Sequence, residues 1–445
     1  MDKIRENIKR HLNVLCKQIG ERYLGSEGQK KAKEYIKKEF RSYGYDVIEE
    51  KFDAPGWKYG NYSLSIVETG KLLKCFPCYY SNSCDEEGKL VVVSPENFEN
   101  FNLKGKICLL VHKTNVENIG KMNELAEKLE KIGVRALIIV SDYQDTFDTK
   151  IIRNPELKKL AVIVVSGNTA LEIGRNINCH FKIKIEAEKF STYGNNVIAR
   201  VIGNKNKKVV IGAHYDTAPG IPGASDNASG VAVLLELSRL LKNKLKDYSV
   251  DFVAFDGEEY GGKGYGLGGY EYVRYHKNEL KNILWMCNID GVGNLLGVDK
   301  VYIGNSLKIK KIVETAVNPY GIITEDYKGI SDNKIFNEND IPTIYFGGEA
   351  PYQQWHSPND NLKRINMDRF VPLCEGIYET VKKLLDQKEL KFENKNFEFI
   401  PLQEEHFPSV EKIVKQIWTM GIDKLREDRY GIIGGKKWQN WVWDS

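Results

Sequence analysis

An α/β protein with a mostly parallel, doubly wound sheet is what this sequence predicts, on three features. From about residue 190, apolar strand-like runs alternate with helical segments, the rhythm of a parallel sheet covered on both faces. The runs KVVIGAHYD, YSVDFVAFD, ILWMCNID and IPTIYFGG are short and apolar along most of their length, as strands buried on both faces are. A second set of such runs marks a smaller α/β unit: KLVVV (89–93), KICLLV (106–111), ALIIV (136–140) and LAVIVV (160–165), with one long helical segment over about 115–132.

In chain order, residues 3–18 place charged and apolar groups with helical period. Ser26 then has the character of an N-cap, and Ala32, Tyr35, Ile36, Phe40 and Tyr43 recur at three- and four-residue steps up to Gly44, an amphipathic helix. YDVIEEKF alternates like a strand, and NNVIARVIG is a further strand. The stretch from Ser225 to Leu241 begins with Ser, Asp and Asn and runs on as VAVLLELSRLL, a buried helix. GYEYVRYH and residues 367–386 are helices. This reading places a main domain at 1–55 and 190–388, an inserted domain at 56–189 and a short extension at 389–445. The extension holds a strand-like FEFIPL, an amphipathic helix near 408–419 and the close GIIGGKKWQNWVWDS. There is no internal repeat and no low-complexity segment.

Composition narrows the function classes. The 445 residues suggest two or three domains, and 42% apolar residues fill ordinary cores. A net charge of +4 with lysines spread along the chain is a solvated surface, so no nucleic acid is expected as a partner. The N-terminus MDKIRENIKRHLNVLCKQIG lacks the apolar core of a signal peptide, and no window approaches the ~18 apolar residues of a membrane span. The expectation is a soluble, cytoplasmic protein with no membrane partner. The eight cysteines, Cys75-Phe-Pro-Cys78 among them, read as buried thiols, since one CxxC without a second pair is a weak metal signal.

The chemistry lies where the strands end. VVIGAHYD ends with His214 and Asp216, FVAFDGEE with Glu258 and Glu259, and WMCNID with Asp290. The loop YQQWHSPND carries His356 and Asp360, and PGASDNASG puts Asp226 at the mouth of a helix. In a parallel sheet these ends converge on one region, where ligands gather. Desolvated carboxylates repel one another, so the cluster needs a counter-charge. A divalent metal pair supplies it. Imidazole and carboxylate donors suit zinc, and one carboxylate can bridge two ions ~3.5–4 Å apart. Taken singly, Asp216 and Asp226 also read as helix caps, Glu258-Glu259 as a solvated turn, Asp290 as a strand cap and His356 as a surface residue; the ordered set does not. His11, His112, His180, His276 and His406 have no acidic partner at useful spacing and read as structural or surface residues.

HYD, GASDNASG, GEE, NID and WHSPND, in that order, resemble the two-zinc aminopeptidases of the aminopeptidase S and aminopeptidase Y type, clan MH metallopeptidases. The likeness covers about 190–388 well and the N-terminal helix with its LGSEG turn more loosely. It implies the zinc exopeptidase fold of three layers, α/β/α, and an exopeptidase that takes N-terminal residues from peptides. It implies that Asp226 bridges two divalent ions, zinc first, with cobalt or manganese as alternatives. His214 and Asp290 complete one ion, Glu259 and His356 the other. Glu258 is the general base towards a hydroxide held by the metal pair, and Asp216 orients His214. The Asp226–Asn227 peptide bond is implied to be cis. Residues 56–188, through LKGKICLLVHK and GVRALIIVSD, resemble a protease-associated domain, a lid-like insert expected to shape access and to carry no chemistry.

Departures keep rivals in view. After GEE the segment YGGKGYGLGGYEYV is longer and richer in glycine than in similar enzymes. Trp355 stands before His356, where many such aminopeptidases carry a tyrosine that steadies the oxyanion; Tyr345 and Tyr352 are candidate substitutes. Trp-His also resembles glutaminyl cyclases of the same fold. A carboxypeptidase would need a basic clamp for a carboxylate, and no arginine motif advertises one, though Arg364 and Arg369 follow the last ligand. A non-catalytic, receptor-like binding protein would lack ligands, whereas five ligands and a base are present. The extension faintly resembles the start of an acetyltransferase without its acetyl-CoA loop. Its Trp438, Trp441 and Trp443 suit docking, so a homo-oligomer through the extension or the insert is a further expectation.

Overall fold

The computed structural model describes residues 2–112, 119–204, 206–242, 244–245, 247–260, 266–304, 306–326, 331–349 and 354–387. The extension 389–445, with His406, Trp438, Trp441 and Trp443, lies outside the described residues, as do Tyr352 and residues 261–265 of the glycine-rich segment.

Four parallel strands position the site. Lys208–His214 is flanked on one side by Ser249–Phe255 and on the other by Ile283–Ile289, with Thr343–Glu349 next. His180–Val201 pairs antiparallel with Ser249–Phe255. On the far side, Val298–Gly304 pairs antiparallel with Thr343–Glu349 and parallel with Ile323–Asp326. The four central strands end on the same side, so their terminal residues meet.

Period-two alternation builds the two cores. Val209, Ile211 and Ala213 face a core with Val250, Phe252 and Ala254, while Val210, Val253 and Phe255 face the opposite one. The first core is covered by Asp2–Asn13, Glu27–Ser42, Ser229–Leu241, Leu307–Val317 and Met367–Leu385. The second lies under Leu267–Tyr275 and Asn333–Glu338, through Tyr272, Val273 and Phe336. The arrangement has helices on both faces of a mostly parallel sheet, as predicted. Ser26 caps its helix, accepting from the Gln29 amide. No described helix is long and apolar enough to cross a membrane.

Two long strands, Val47–Ile66 and His180–Val201, pair antiparallel along most of their length. They carry the chain out to a second sheet portion in which Cys84–Val93, Ile107–Leu110, Ala136–Val140 and Ala161–Val165 run parallel. There too, alternate residues face opposite cores: Val162 and Val164 one, Ala161, Ile163 and Val165 the other. Both strands run unbroken through positions 55/56 and 189/190, so no linker separates the inserted segment from the rest. The eight cysteines are free thiols, and burial pushes Cys75 up to about 12.

Candidate metal centre

His214 is the last residue of its strand and is fully buried. Its Nδ1 lies 3.4 Å from Asp216 Oδ1, and its Nε2 lies 3.1 Å from Asp226 Oδ1 and 3.3 Å from Asp290 Oδ1. Asp216 does a second job: its two oxygens accept the backbone N–H groups of Glu258 and Glu259, at 3.0 and 2.9 Å. One carboxylate thus lies beside the imidazole and fixes the turn that presents both glutamates.

Asp226 stands between the two histidines. Its Oδ2 is 3.1 Å from His356 Nε2, the mirror of its Oδ1 contact with His214. His356 Nε2 is also 3.7 Å from Glu259 Oε2. Asp360 cradles the segment, accepting the Ser225 and Asp226 amides at 2.8 and 3.0 Å. The Asp226–Asn227 peptide bond is cis, as the resemblance implied. Asn227 ties it in place, donating to the Ile289 carbonyl and accepting from the Gly230 amide, both at 2.9 Å. Gly223 has φ 57°, and a Cβ there would meet the Asp226 carbonyl at 2.4 Å, so the entry to this turn requires glycine. Behind it, buried Arg22 donates to the carbonyls of Leu15, Gly20, Tyr215, Pro222 and Gly223.

The inserted segment enters the site, contrary to the expectation that it carries no chemistry. Lys150 is buried with its ammonium directly on Glu259, 3.5 Å from Glu258 Oε2 and 3.4 Å from His356 Nε2. Arg153 Nη1 lies 4.0 Å from Glu259 Oε2, and Asp148 Oδ2 lies 3.8 Å from His356 Nδ1. The same loop holds the His356 backbone, which sits at φ 54°. A non-glycine residue keeps that left-handed conformation only where its surroundings impose it. Here the Thr149 amide donates to the His356 carbonyl at 2.8 Å and the Tyr143 hydroxyl to the Trp355 carbonyl at 3.3 Å.

The electrostatics call for positive charge. Burial opposes a charged His214 ring, but Asp290, Asp216 and Asp226 outweigh it and hold the ring well above its ordinary pKa. For His356, burial and Lys150 act downward, while Glu259, Asp148 and Asp226 carry it up to about 10. Burial and the Asp226 charge push Glu259 up to about 8, against Lys150 and His356. Burial also raises Asp226, yet its hydrogen bonds to both histidines hold it well below the usual carboxylate range. These carboxylates recruit every cation in reach, which is the chemistry of a metal centre.

The donors fit two divalent ions. The ligand atoms of His214, Asp226 and Asp290 all lie within 4.8 Å of one another, and so do those of Asp226, Glu259 and His356. Glu259 Oε1 is buried without a hydrogen-bond partner. Imidazole and carboxylate together are zinc ligands. Residues 196–381 match the family model described as Peptidase family M28. That stretch contains His214, Asp216, Asp226, Glu258, Glu259, Asp290 and His356. Across 408 residues, the peptidase is 26% identical to aminopeptidase YwaD of Bacillus subtilis (strain 168), covering 85% of this chain and 86% of that one. A solved aminopeptidase from Aneurinibacillus sp. strain AM-1 is 25% identical, with a TM-score of 0.66 over 88% of this chain and 96% of that one. BSAP, a zinc aminopeptidase from Bacillus subtilis, shares the fold at a TM-score of 0.70 and 23% identity, over 87% and 96% of the two chains.

All seven residues singled out from the peptidase's sequence meet at the strand ends. His276 and His180 were read as having no acidic partner, but each meets a carboxylate far along the chain, Glu50 at 2.6 Å and Glu68 at 2.9 Å. His11 is buried against the Tyr35 hydroxyl at 2.7 Å. Lys150, Arg153 and Asp148 escaped the sequence reading, because DTKIIR resembles any surface-charged turn. Asp360 was visible in SPND, but its role as a cradle for backbone amides has no sequence signature.

Proposed function

We propose that this metallopeptidase is an aminopeptidase that removes N-terminal residues from peptides. Asp226 carries the reading: one buried carboxylate offers one oxygen to each of two imidazoles and so divides the ligands into two groups sharing a bridge. His214, Asp226 and Asp290 would hold one ion; Asp226, Glu259 and His356 would hold the other. When bound, the ions supply Lewis acidity to the scissile carbonyl and to the attacking water.

Glu258 is the general base. Its backbone amide is fixed by Asp216, and its side chain is part-exposed at the site rather than committed to either histidine. It takes a proton from the attacking water and delivers it to the leaving amine. Asp216 holds the His214 ring in orientation. The surplus of carboxylates attracts the α-ammonium of a peptide, an electrostatic match that favours cleavage at the N-terminus. The segment 56–189 acts as an insert that borders substrate access, and its loop 141–154 forms one wall of the centre.

Digestion of a peptide mixture, read by mass spectrometry with added zinc and again with a chelator, tests this. Stepwise loss of N-terminal residues, abolished by the chelator, is the expected result. Loss from the C-terminus, or water or ammonia loss at N-terminal Glu or Gln, would replace it with a carboxypeptidase or a cyclase.

A further inference from the structure

The side chain that most changes the chemistry of the centre comes from outside the ligand motifs. Lys150 places its ammonium on Glu259, beside Glu258 and His356. Its side chain is 6% exposed, and Glu259 is fully buried. The position is built rather than incidental. The Lys150 amide donates to Asp148 Oδ1 at 2.8 Å, the Asp148 amide to Ser141 Oγ at 3.1 Å, and the Thr149 amide to the His356 carbonyl at 2.8 Å. The Tyr79 amide donates to the Thr149 carbonyl at 3.2 Å, and Arg153 N–H to Asn123 Oδ1 at 3.0 Å. The backbone at Lys150 is therefore pinned on both sides, so displacement of the ammonium would fall to the side chain. Among the described residues, no Lys or Arg lies at ion-pair distance from Asp226 or Asp290; the cations face one ligand group only.

We propose that Lys150 is a resident cation of the Asp226–Glu259–His356 group, which an ion must displace, so that the two metals bind unequally: tightly at His214–Asp226–Asp290 and exchangeably at the other group. The inference rests on the two-ion reading above. An ammonium and a divalent ion on one buried carboxylate repel, and in surroundings of low polarity that repulsion is not screened away. Arg153, at 4.0 Å from the same Glu259 oxygen, adds to it. The chain thereby carries its own partial substitute for the second ion.

The test counts metal. Chelator-stripped full-length protein is titrated with zinc in competing-chelator buffers, and bound zinc is measured by elemental mass spectrometry. Wild type binds one equivalent tightly and a second about tenfold or more weaker. Lys150→Met tightens the second equivalent by about tenfold or more and leaves the first unmoved, whereas Lys150→Arg keeps the gap. Lys150→Gln serves if the methionine variant does not fold. Two indistinguishable equivalents in wild type would overturn the proposal, as would a second equivalent unmoved by removal of the Lys150 charge. Peptide hydrolysis is not the readout. Unequal sites in a protein that cleaves no peptide would sink the aminopeptidase and leave this inference standing.

Discussion

His214 and His356 each face one oxygen of Asp226, yet what surrounds them differs. Among the described residues, the charged partners in ion-pair contact with His214 are carboxylates, Asp216, Asp226 and Asp290. Around His356 there is an acid from the insert, Asp148, and a cation from the insert, Lys150. The first group is assembled from residues at and just beyond the ends of neighbouring parallel strands. The second depends on a loop more than two hundred residues away from the histidine it supports. Equal ligand chemistry therefore does not make equal sites: one half is left to be neutralised by metal, and the other is part-neutralised by the chain itself.

The largest effect is expected from the proposed general base, which belongs to neither ligand group. Glu258→Gln should lower kcat by ~10²–10⁴ while both zinc equivalents are retained, seen by comparing turnover with metal content on one preparation. Loss of metal with loss of rate would make Glu258 a ligand instead of a base. Next comes the contrast between Glu259 and Asp290. In metal-free protein, Glu259→Ala takes its closest counter-charge from the buried Lys150 ammonium, leaving Glu258 at 3.5 Å, and should destabilise by about 3 kcal/mol. Asp290→Ala removes one of three carboxylates that face the His214 ring and leaves Asp216 and Asp226 beside it, so metal-free stability should fall less. Urea midpoints of the two apo-variants decide it, and equal losses would erase the difference between the halves.

Asp216→Asn sharpens the comparison from the other side. Partners that orient a ligating histidine are worth ~10–100-fold in metal affinity, and Asp216 touches His214 and not His356. The tight zinc equivalent should weaken by that factor while the exchangeable one holds, read from the same competing-chelator titration. Because Asp216 also accepts the Glu258 and Glu259 amides, a loss at both equivalents would show that its turn-fixing role outweighs its contact with His214.

The same division separates what the sequence disclosed from what it hid. The four central strands were legible because each is a compact apolar run, and the ligands were legible because a parallel sheet brings strand ends together. Val298–Gly304, Ile323–Asp326 and Asn333–Glu338 were not recognised. The two strands lie toward the sheet's edge, and Ile323–Asp326 is short with both end residues exposed, so neither leaves a strong periodic signal. Lys150 was hidden for a different reason. A buried lysine and a solvated one have the same letter and the same local spacing, and only the long pairing of Val47–Ile66 with His180–Val201 carries the insert to the mouth of the centre.

The smallest effect concerns Trp355, where many similar aminopeptidases have a tyrosine. Its indole N–H donates to Ser225 Oγ at 3.2 Å, and Ser225 in turn donates to Asn294 Oδ1 at 2.7 Å. The ring also lies against Gly291, where a Cβ would meet it at 3.0 Å. The indole is thus engaged in bracing the Asp226 turn against the His356 loop, and its donor is committed away from any substrate oxygen. Trp355→Phe should cost about 1 kcal/mol of stability, the worth of one hydrogen bond, and change kcat little. Tyr345 is buried; burial first, then the Asp290 and Asp226 charges, raise its phenol well above the ordinary range, so it stays a proton donor at any working pH. Tyr345→Phe should therefore lower kcat more than Trp355→Phe does. A Trp355→Phe variant that folds and binds both metals normally yet loses turnover tenfold or more would return the indole to the chemistry and reopen the comparison with the cyclases.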